Sequence, residues 1–205
     1  MKHPVAIAVV VAGVLLAFGA GVIASAPPAS EAAWPDDRPY PAVRDAGSSA
    51  DVERLRSAVP LILTDWVAAG RAAGGVGDEN IIQIVQAALG EGPQEERRAL
   101  LAEVLAPELV DREAEAAADQ LWRSLRLVQP SWVYIGNGFE VTRWDGVQVV
   151  GDTAVVLVVG RQHYVFPNGT EGAEPAHQYR IVLRRDADSR YGWLLVDRSV
   201  RQDSS

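Results

Sequence analysis

Residues 149–157, Val149-Val150-Gly151-Asp152-Thr153-Ala154-Val155-Val156-Leu157, decide the fold. A two-residue Gly-Asp turn separates two β-branched runs, and such a short connection joins neighbouring antiparallel strands. Working outward, Phe139–Val150 reads as one strand, with an irregularity at Asp145-Gly146. Thr153–Phe166 reads as a long second strand. A polar loop opens at Pro167-Asn168-Gly169 and closes near Pro175. His177–Arg185 alternates Tyr179, Ile181 and Leu183 with Gln178, Arg180 and Arg184, a third strand. After a turn at Asp186–Arg190, Tyr191–Val200 is the fourth, and residues 201–205 are a tail. Four strands with short connections make an antiparallel meander, whose apolar face needs a helical cover.

Residues 51–128 supply that cover. Ser49 or Asp51 is placed to cap a first helix, which Pro60 is expected to kink or restart. Gly74, Gly75 and Gly77 break the chain, and Asp78 can cap a short helix carrying Ile81, Ile84, Val85 and Ala88. Pro93 suits the first turn of the next helix. After Pro107, the spacing of Ala114, Ala117, Leu121, Leu125 and Val128 marks a fourth, amphipathic helix. The fold class expected is α+β.

Ahead of this domain, Val5–Ala26 holds 22 residues without a charge. As a helix it would be roughly 33 Å long, enough to cross a bilayer core. Lys2 precedes it, and Glu31, Asp36 and Asp37 follow, so residues 1–4 are expected in the cytoplasm and the C-terminal bulk outside. Ala24-Ser25-Ala26 resembles a signal-peptide cleavage site, but Pro27 directly after it favours a retained transmembrane anchor. Residues 27–50 carry Pro27, Pro28, Pro35, Pro39 and Pro41 and read as a semi-stiff linker. Within it Trp34 and Tyr40 are expected at the lipid headgroups, with packing on the domain as the alternative. The exported domain is then 51–200.

Composition narrows the function classes. The chain has no Cys, which excludes disulfides, thiol catalysis and an N-terminal lipid-modified cysteine. A net charge of −8 disfavours nucleic-acid binding. Lys2 is the only lysine, and with the Ala, Val, Gly and Asp content this points to a GC-rich bacterial genome. Asn168-Gly169-Thr170 matches a glycosylation sequon and reads here as a polar hairpin loop.

Helices followed by a curved meander ending in Gly192-Trp193-Leu194-Leu195-Val196-Asp197 resemble the nuclear transport factor 2-like fold, a cone open at one end. Behind an anchor and a Pro-rich linker, the arrangement is similar to two exported groups. One is the actinobacterial mammalian-cell-entry-associated membrane proteins. The other is the anchored scaffold subunit of type IV secretion and conjugative transfer machines. The resemblance covers residues 95–200 and implies scaffolding in a cell-envelope complex, protein partners and no cofactor.

Some cones of this fold are active sites, so an isomerase or hydrolase acting on a small molecule is the competing expectation. It needs a carboxylate base and a hydroxyl donor in one cavity. Asp197 shares a strand face with Trp193 and Leu195, and Tyr179 on the next strand is its candidate partner; the alternative is that Asp197 pairs with Arg180, Arg184 or Arg198. His163 and His177 flank the 167–175 loop as candidate cross-strand metal ligands, with Glu171 and Glu174 nearby; a structural pair is the plainer expectation. Val155–Val159 is apolar on both faces, so its second face needs a cover: the chain itself, a partner, or a second copy.

Overall fold

The computed structural model describes residues 40–72, 80–127 and 133–202. The expected anchor, Trp34 and residues 203–205 lie outside them. No described helix is long and apolar enough to cross a membrane.

Four helices come first: α1 (Ser49–Ala68), α2 (Ile81–Ala88), α3 (Glu91–Ala102) and α4 (Pro107–Leu127). Five strands follow: β1 (Gly136–Val150), β2 (Thr153–Val165), β3 (Glu171–Ala173), β4 (His177–Arg185) and β5 (Trp193–Gln202). The main sheet runs β1-β2-β4-β5, antiparallel throughout, with β3 paired to β2. The meander is therefore five strands and not four. The extra one lies in the loop after Pro167, where three backbone pairs to His163–Val165 continue the sheet past the point at which β4 leaves it.

The helix caps also differ from expectation. Ser48, one residue earlier than anticipated, accepts the Asp51 N–H and caps α1. Asn80 caps α2 through the Gln83 N–H, while Asp78 is outside the described residues. α1 runs on through Pro60. Leu55, Val59, Ile62 and Leu63 are all fully buried beneath it. Burial of such side chains contributes about 1.5–3 kcal/mol each, enough to offset the roughly 3 kcal/mol that an interior proline costs.

The main core joins α1 to the inner face of the sheet through Val147, Val156, Val158, Ile181, Leu183 and Trp193. A smaller cluster under α2 and α4 holds Ile84, Val85, Ala88 and Leu121. At Gly160 a side chain would meet the Phe139 ring at 2.5 Å and the Glu140 carbonyl at 2.7 Å, so the β1–β2 crossing requires glycine there.

Residues 40–48, read from composition as linker, are docked. The Val43 N–H donates to the Asp145 carbonyl (2.7 Å), Ala46 N–H to Val147 (2.9 Å) and Val149 N–H to Ala46 (2.8 Å). Val43 lies so near Gly146, at φ +142°, that a Cβ there would sit 2.3 Å from its carbonyl oxygen. Tyr40 reaches across the outer face: its hydroxyl pairs with Ser199 (2.7 Å), and the Arg201 guanidinium sits 3.8 Å from its ring centre. This corrects the headgroup expectation for Tyr40. Gln178, 1% exposed, holds the Tyr40 backbone on both sides, accepting from its N–H and donating to its carbonyl. Leu157 and Val159, on the face that this strap crosses, are buried. The chain's own lead-in therefore lies on the second face of β2.

Candidate functional site

Asp197 and Tyr179 are not brought together. Strand β5 matches β4 as Leu183↔Leu195 and then Val182↔Asp197, so Val196 is an extra residue. A bulge of this kind reverses the facing of everything beyond it. Asp197 consequently points outward, where it is 38% exposed and pairs with Arg180 at 3.6 Å. Tyr179 points inward, 1% exposed, with the Phe139 ring edge-on at 5.0 Å. The Arg180 partnership matches the plainer expectation, and the acid–donor pair is lost.

The same bulge turns Arg198 inward. Its guanidinium lies 3.9 Å from the Trp66 ring centre on α1 and donates to Glu113 Oε2 on α4 at 2.9 Å. Trp66 Nε1–H donates to the same oxygen at 3.1 Å, and Arg112 reaches Oε1 at 3.0 Å. Burial pushes the Glu113 carboxyl up, but Arg198, Trp66 and Arg112 outweigh it and hold it below the usual range. This α1–α4–β5 pin was not foreseen; nothing in the local pattern of Arg198 announces a bulge two residues earlier.

The two histidines fall on opposite faces. His177 is opposite Gly160, and His163 is opposite Ala173 and Gly138. They are not cross-strand neighbours, because β3 occupies the intervening register. His163 faces outward, 3.1 Å from Glu140, which also takes Arg161 at 2.7 Å. His177 lies two residues before Tyr179 and so faces inward. The pair cannot share an ion, and no group of three metal-ligating side chains occurs among the described residues.

What gathers instead is a polar end of the inner face. Gln162 and Tyr164 come from β2, His177 and Tyr179 from β4, Asn137 from β1, and Glu174 from the loop after β3. The Glu174 N–H bonds the Gln162 carbonyl at 3.0 Å, which directs its side chain inward. Tyr164 donates from its hydroxyl to Glu174 Oε1 and lies 2.8 Å from Gln162 Oε1. The Tyr134 ring packs against Tyr164 with centroids 4.8 Å apart, the two planes tilted by 46°. Burial pushes the Glu174 carboxyl up, against smaller opposing effects of Tyr164 and His177. Burial likewise raises Tyr179 to about 12, helped by the nearby Glu174 charge. Four buried polar atoms here have no hydrogen-bond partner: Asn137 Nδ2, Glu174 Oε2, His177 Nε2 and Tyr179 Oη. In the sequence, Glu174 stands out only as a loop acid near the two histidines. The inward alternation of Tyr164 and Tyr179 was the signal that could have exposed the cluster.

Elsewhere the inner face is filled by Trp193, Ile181, Leu183 and Phe139 against α1. The two best-formed hollows among the described residues are shallow surface features, one at Glu103, Asp188 and Arg190, the other at Ala58, Leu61 and Tyr191.

Neither a family model nor a curated protein matches the chain. Solved structures do. A nuclear transport factor 2 (NTF2-like) superfamily protein from Salmonella enterica is 9% identical, covering 73% of this chain and 94% of its own, with a TM-score of 0.35. CagV, a VirB8 homolog of the T4SS from Helicobacter pylori, is 8% identical, covering 72% and 99%, with a TM-score of 0.38. An NTF2-like protein with a cystatin-like fold from Novosphingobium aromaticivorans is 18% identical, covering 78% and 92%, with a TM-score of 0.34. The chain is thus similar to proteins described as NTF2-like and to a VirB8 homolog.

Proposed function

We propose that this protein is a non-catalytic subunit of a bacterial cell-envelope complex, anchored by Val5–Ala26 and working through its exported domain. The observation that carries this reading is the division of the acid–donor pair between two faces of the sheet. Proton-transfer chemistry needs both groups within hydrogen-bond reach of one substrate. Asp197 faces solvent beside Arg180, whereas Tyr179 is enclosed beside Phe139. The packing of Trp193, Ile181, Leu183 and Phe139 in one core with α1 supports the same reading, since it fills that part of the inner face. Apolar side chains are available on the surface: Leu61 is 50% exposed, Ile82 53% and Trp122 47%. Val5–Ala26, with Lys2 before it, supports membrane attachment with the domain outside.

Affinity purification of the full chain from detergent-solubilised membranes tests the reading. Recovery of envelope proteins in fixed ratio is the expected outcome, and their identity separates lipid import from conjugative transfer. Elution of the chain alone, as a monomer, would sink it. The mass of the mature protein tests the anchor separately, since loss of the first 26 residues means cleavage.

A further inference from the structure

We infer that the free edge of β5, from Arg198 to Gln202, docks a second copy of this chain, strand to strand. The backbone fixes which groups are on offer. The Leu195 N–H bonds the Val104 carbonyl (2.8 Å), and the Leu195 carbonyl accepts from the Ala106 N–H (2.9 Å), so both point away from β4. Opposed residues of an antiparallel pair alternate between bonding each other and turning those groups outward. Leu183↔Leu195 is an outward pair, so the next one, Val182↔Asp197, bonds within the ladder. Counting on through Arg180↔Ser199 and Gln178↔Arg201, the backbone N–H and carbonyl groups of Arg198, Val200 and Gln202 face away from β4. The α3–α4 connection takes this edge only at Leu195, and among the described residues no backbone group outside the sheet bonds those three. A strand edge of this kind recruits another strand. Val200 adds apolar surface to it: it stands opposite Tyr179, which is 1% exposed, yet is itself 39% exposed.

The side chains name the occupant. With Ser199 on a two-fold axis, antiparallel pairing sets Arg198 against Val200 of the second copy, and both offer outward backbone groups. The same register sets Asp197 against Arg201 of the second copy, and the symmetry repeats it, giving two opposite-charge cross-strand pairs on the outer face. A register centred on Arg198 brings like charges face to face. One centred on Val200 sets Arg201 against Ser199 and gives up both charge pairs. Asp197 has room for the added partner: it is 38% exposed and its contact with Arg180 is long, at 3.6 Å. Arg201 is held at this edge by the Tyr40 ring, 3.8 Å from its guanidinium. The axis stands normal to the sheet, so both outer faces lie on one side. Tyr40, bonded to Ser199 at 2.7 Å, is then beside the axis in each copy, and the two lead-ins arrive from the same side. Copies anchored in one membrane can therefore pair, although the pairing itself does not require the anchor.

The chain has no Cys, so a single introduced thiol reports the pairing. In this register the two Ser199 residues face each other as a non-hydrogen-bonded pair, with Cα atoms about 4.5 Å apart, a spacing that a disulfide spans. The test is oxidation of full-length Ser199→Cys in detergent micelles, read on a non-reducing gel, with Asp188→Cys in the exposed β4–β5 turn as the reference. Ser199→Cys is expected to cross-link at least about tenfold faster than Asp188→Cys. Adding Val200→Pro removes an N–H that β4 does not use, so the circular-dichroism spectrum should hold while cross-linking falls about tenfold. Adding Asp197→Arg should slow it similarly, and combining that change with Arg201→Asp should restore it, which keeps the test decisive if the proline variant fails to fold. Equal rates for Ser199→Cys and Asp188→Cys, undiminished cross-linking in folded Val200→Pro, or no recovery on exchanging the charges would each overturn the inference.

Discussion

Glu113 and Glu174 are both carboxylates carried into the interior, yet they titrate in opposite directions. Glu113 meets the Arg198 guanidinium, the Trp66 N–H and Arg112, which hold its carboxyl low against burial. Glu174 meets a tyrosine hydroxyl and, among the described residues, no guanidinium, so burial wins and its carboxyl is raised. Similar desolvation gives a pin between α1, α4 and β5 in one place and an unsatisfied acid in the other. The number of charged partners decides the outcome, not the depth.

The largest effect should come from removing the partner at the first site. Arg198→Ala leaves Glu113 buried without its main counter-charge, and urea unfolding should show a loss of about 3–5 kcal/mol near neutral pH. If the loss is under about 1 kcal/mol, the pin is not what holds α4 to the sheet. The variant should also convert Glu113 into a second Glu174, with stability that declines as pH rises.

Gln178→Ala tests a third carboxylate, Asp145. Arg143 holds it below its ordinary value against burial, helped by the Gln178 amide, which also clamps Tyr40. Loss of the amide leaves the strap's buried polar groups unpaired and should cost about 1–3 kcal/mol. Limited proteolysis should then cut near residues 40–47 first; an unchanged cleavage pattern would mean the strap is held by other contacts.

A smaller effect is expected from Glu174→Gln, with a gain of about 1 kcal/mol at neutral pH. The sign follows from linkage. A raised folded pKa gives stability that is fully present below the unfolded value and lost as pH rises through the folded one. Thermal melts across the pH range should therefore lose their alkaline-side decline in this variant. Glu113 has the reverse sign: its contribution is present above the unfolded value and lost as pH falls through the folded one. An identical pH profile for wild type and Glu174→Gln would show that the acid is not enclosed.

The smallest effect belongs to His163→Ala. His163 is 42% exposed beside an exposed Glu140 that keeps Arg161 as a partner, so the change should stay within about 0.5 kcal/mol. A larger loss would require a role for the outer face beyond this solvated ion pair.

The candidate site was legible only in part. Tyr179 was placed inward correctly by its alternation with Ile181 and Leu183. For Asp197 the same rule points to the wrong face, because counting by twos assumes an unbroken ladder. Val196 breaks it, and a bulge depends on the partner strand and on what packs beyond. Here the Leu195 N–H and carbonyl bind Val104 and Ala106, which fixes the start of β5 while Arg198 is drawn to Glu113, 85 residues away in sequence. His163 and His177 part for a related reason: the three residues of β3 enter the hairpin register between them.

Sequence alone determined the order of elements, the antiparallel meander, the core stripes of the helices and the uncharged run at Val5–Ala26. These follow from local quantities: side-chain period, turn chemistry, and length without charge. Only the tertiary structure decided which face Asp197 and Arg198 take, that residues 40–48 strap the sheet, and that Glu174 enters the interior without an arginine partner among the described residues. Those depend on pairings between distant segments, where a one-residue slip in register exchanges the two faces of a strand.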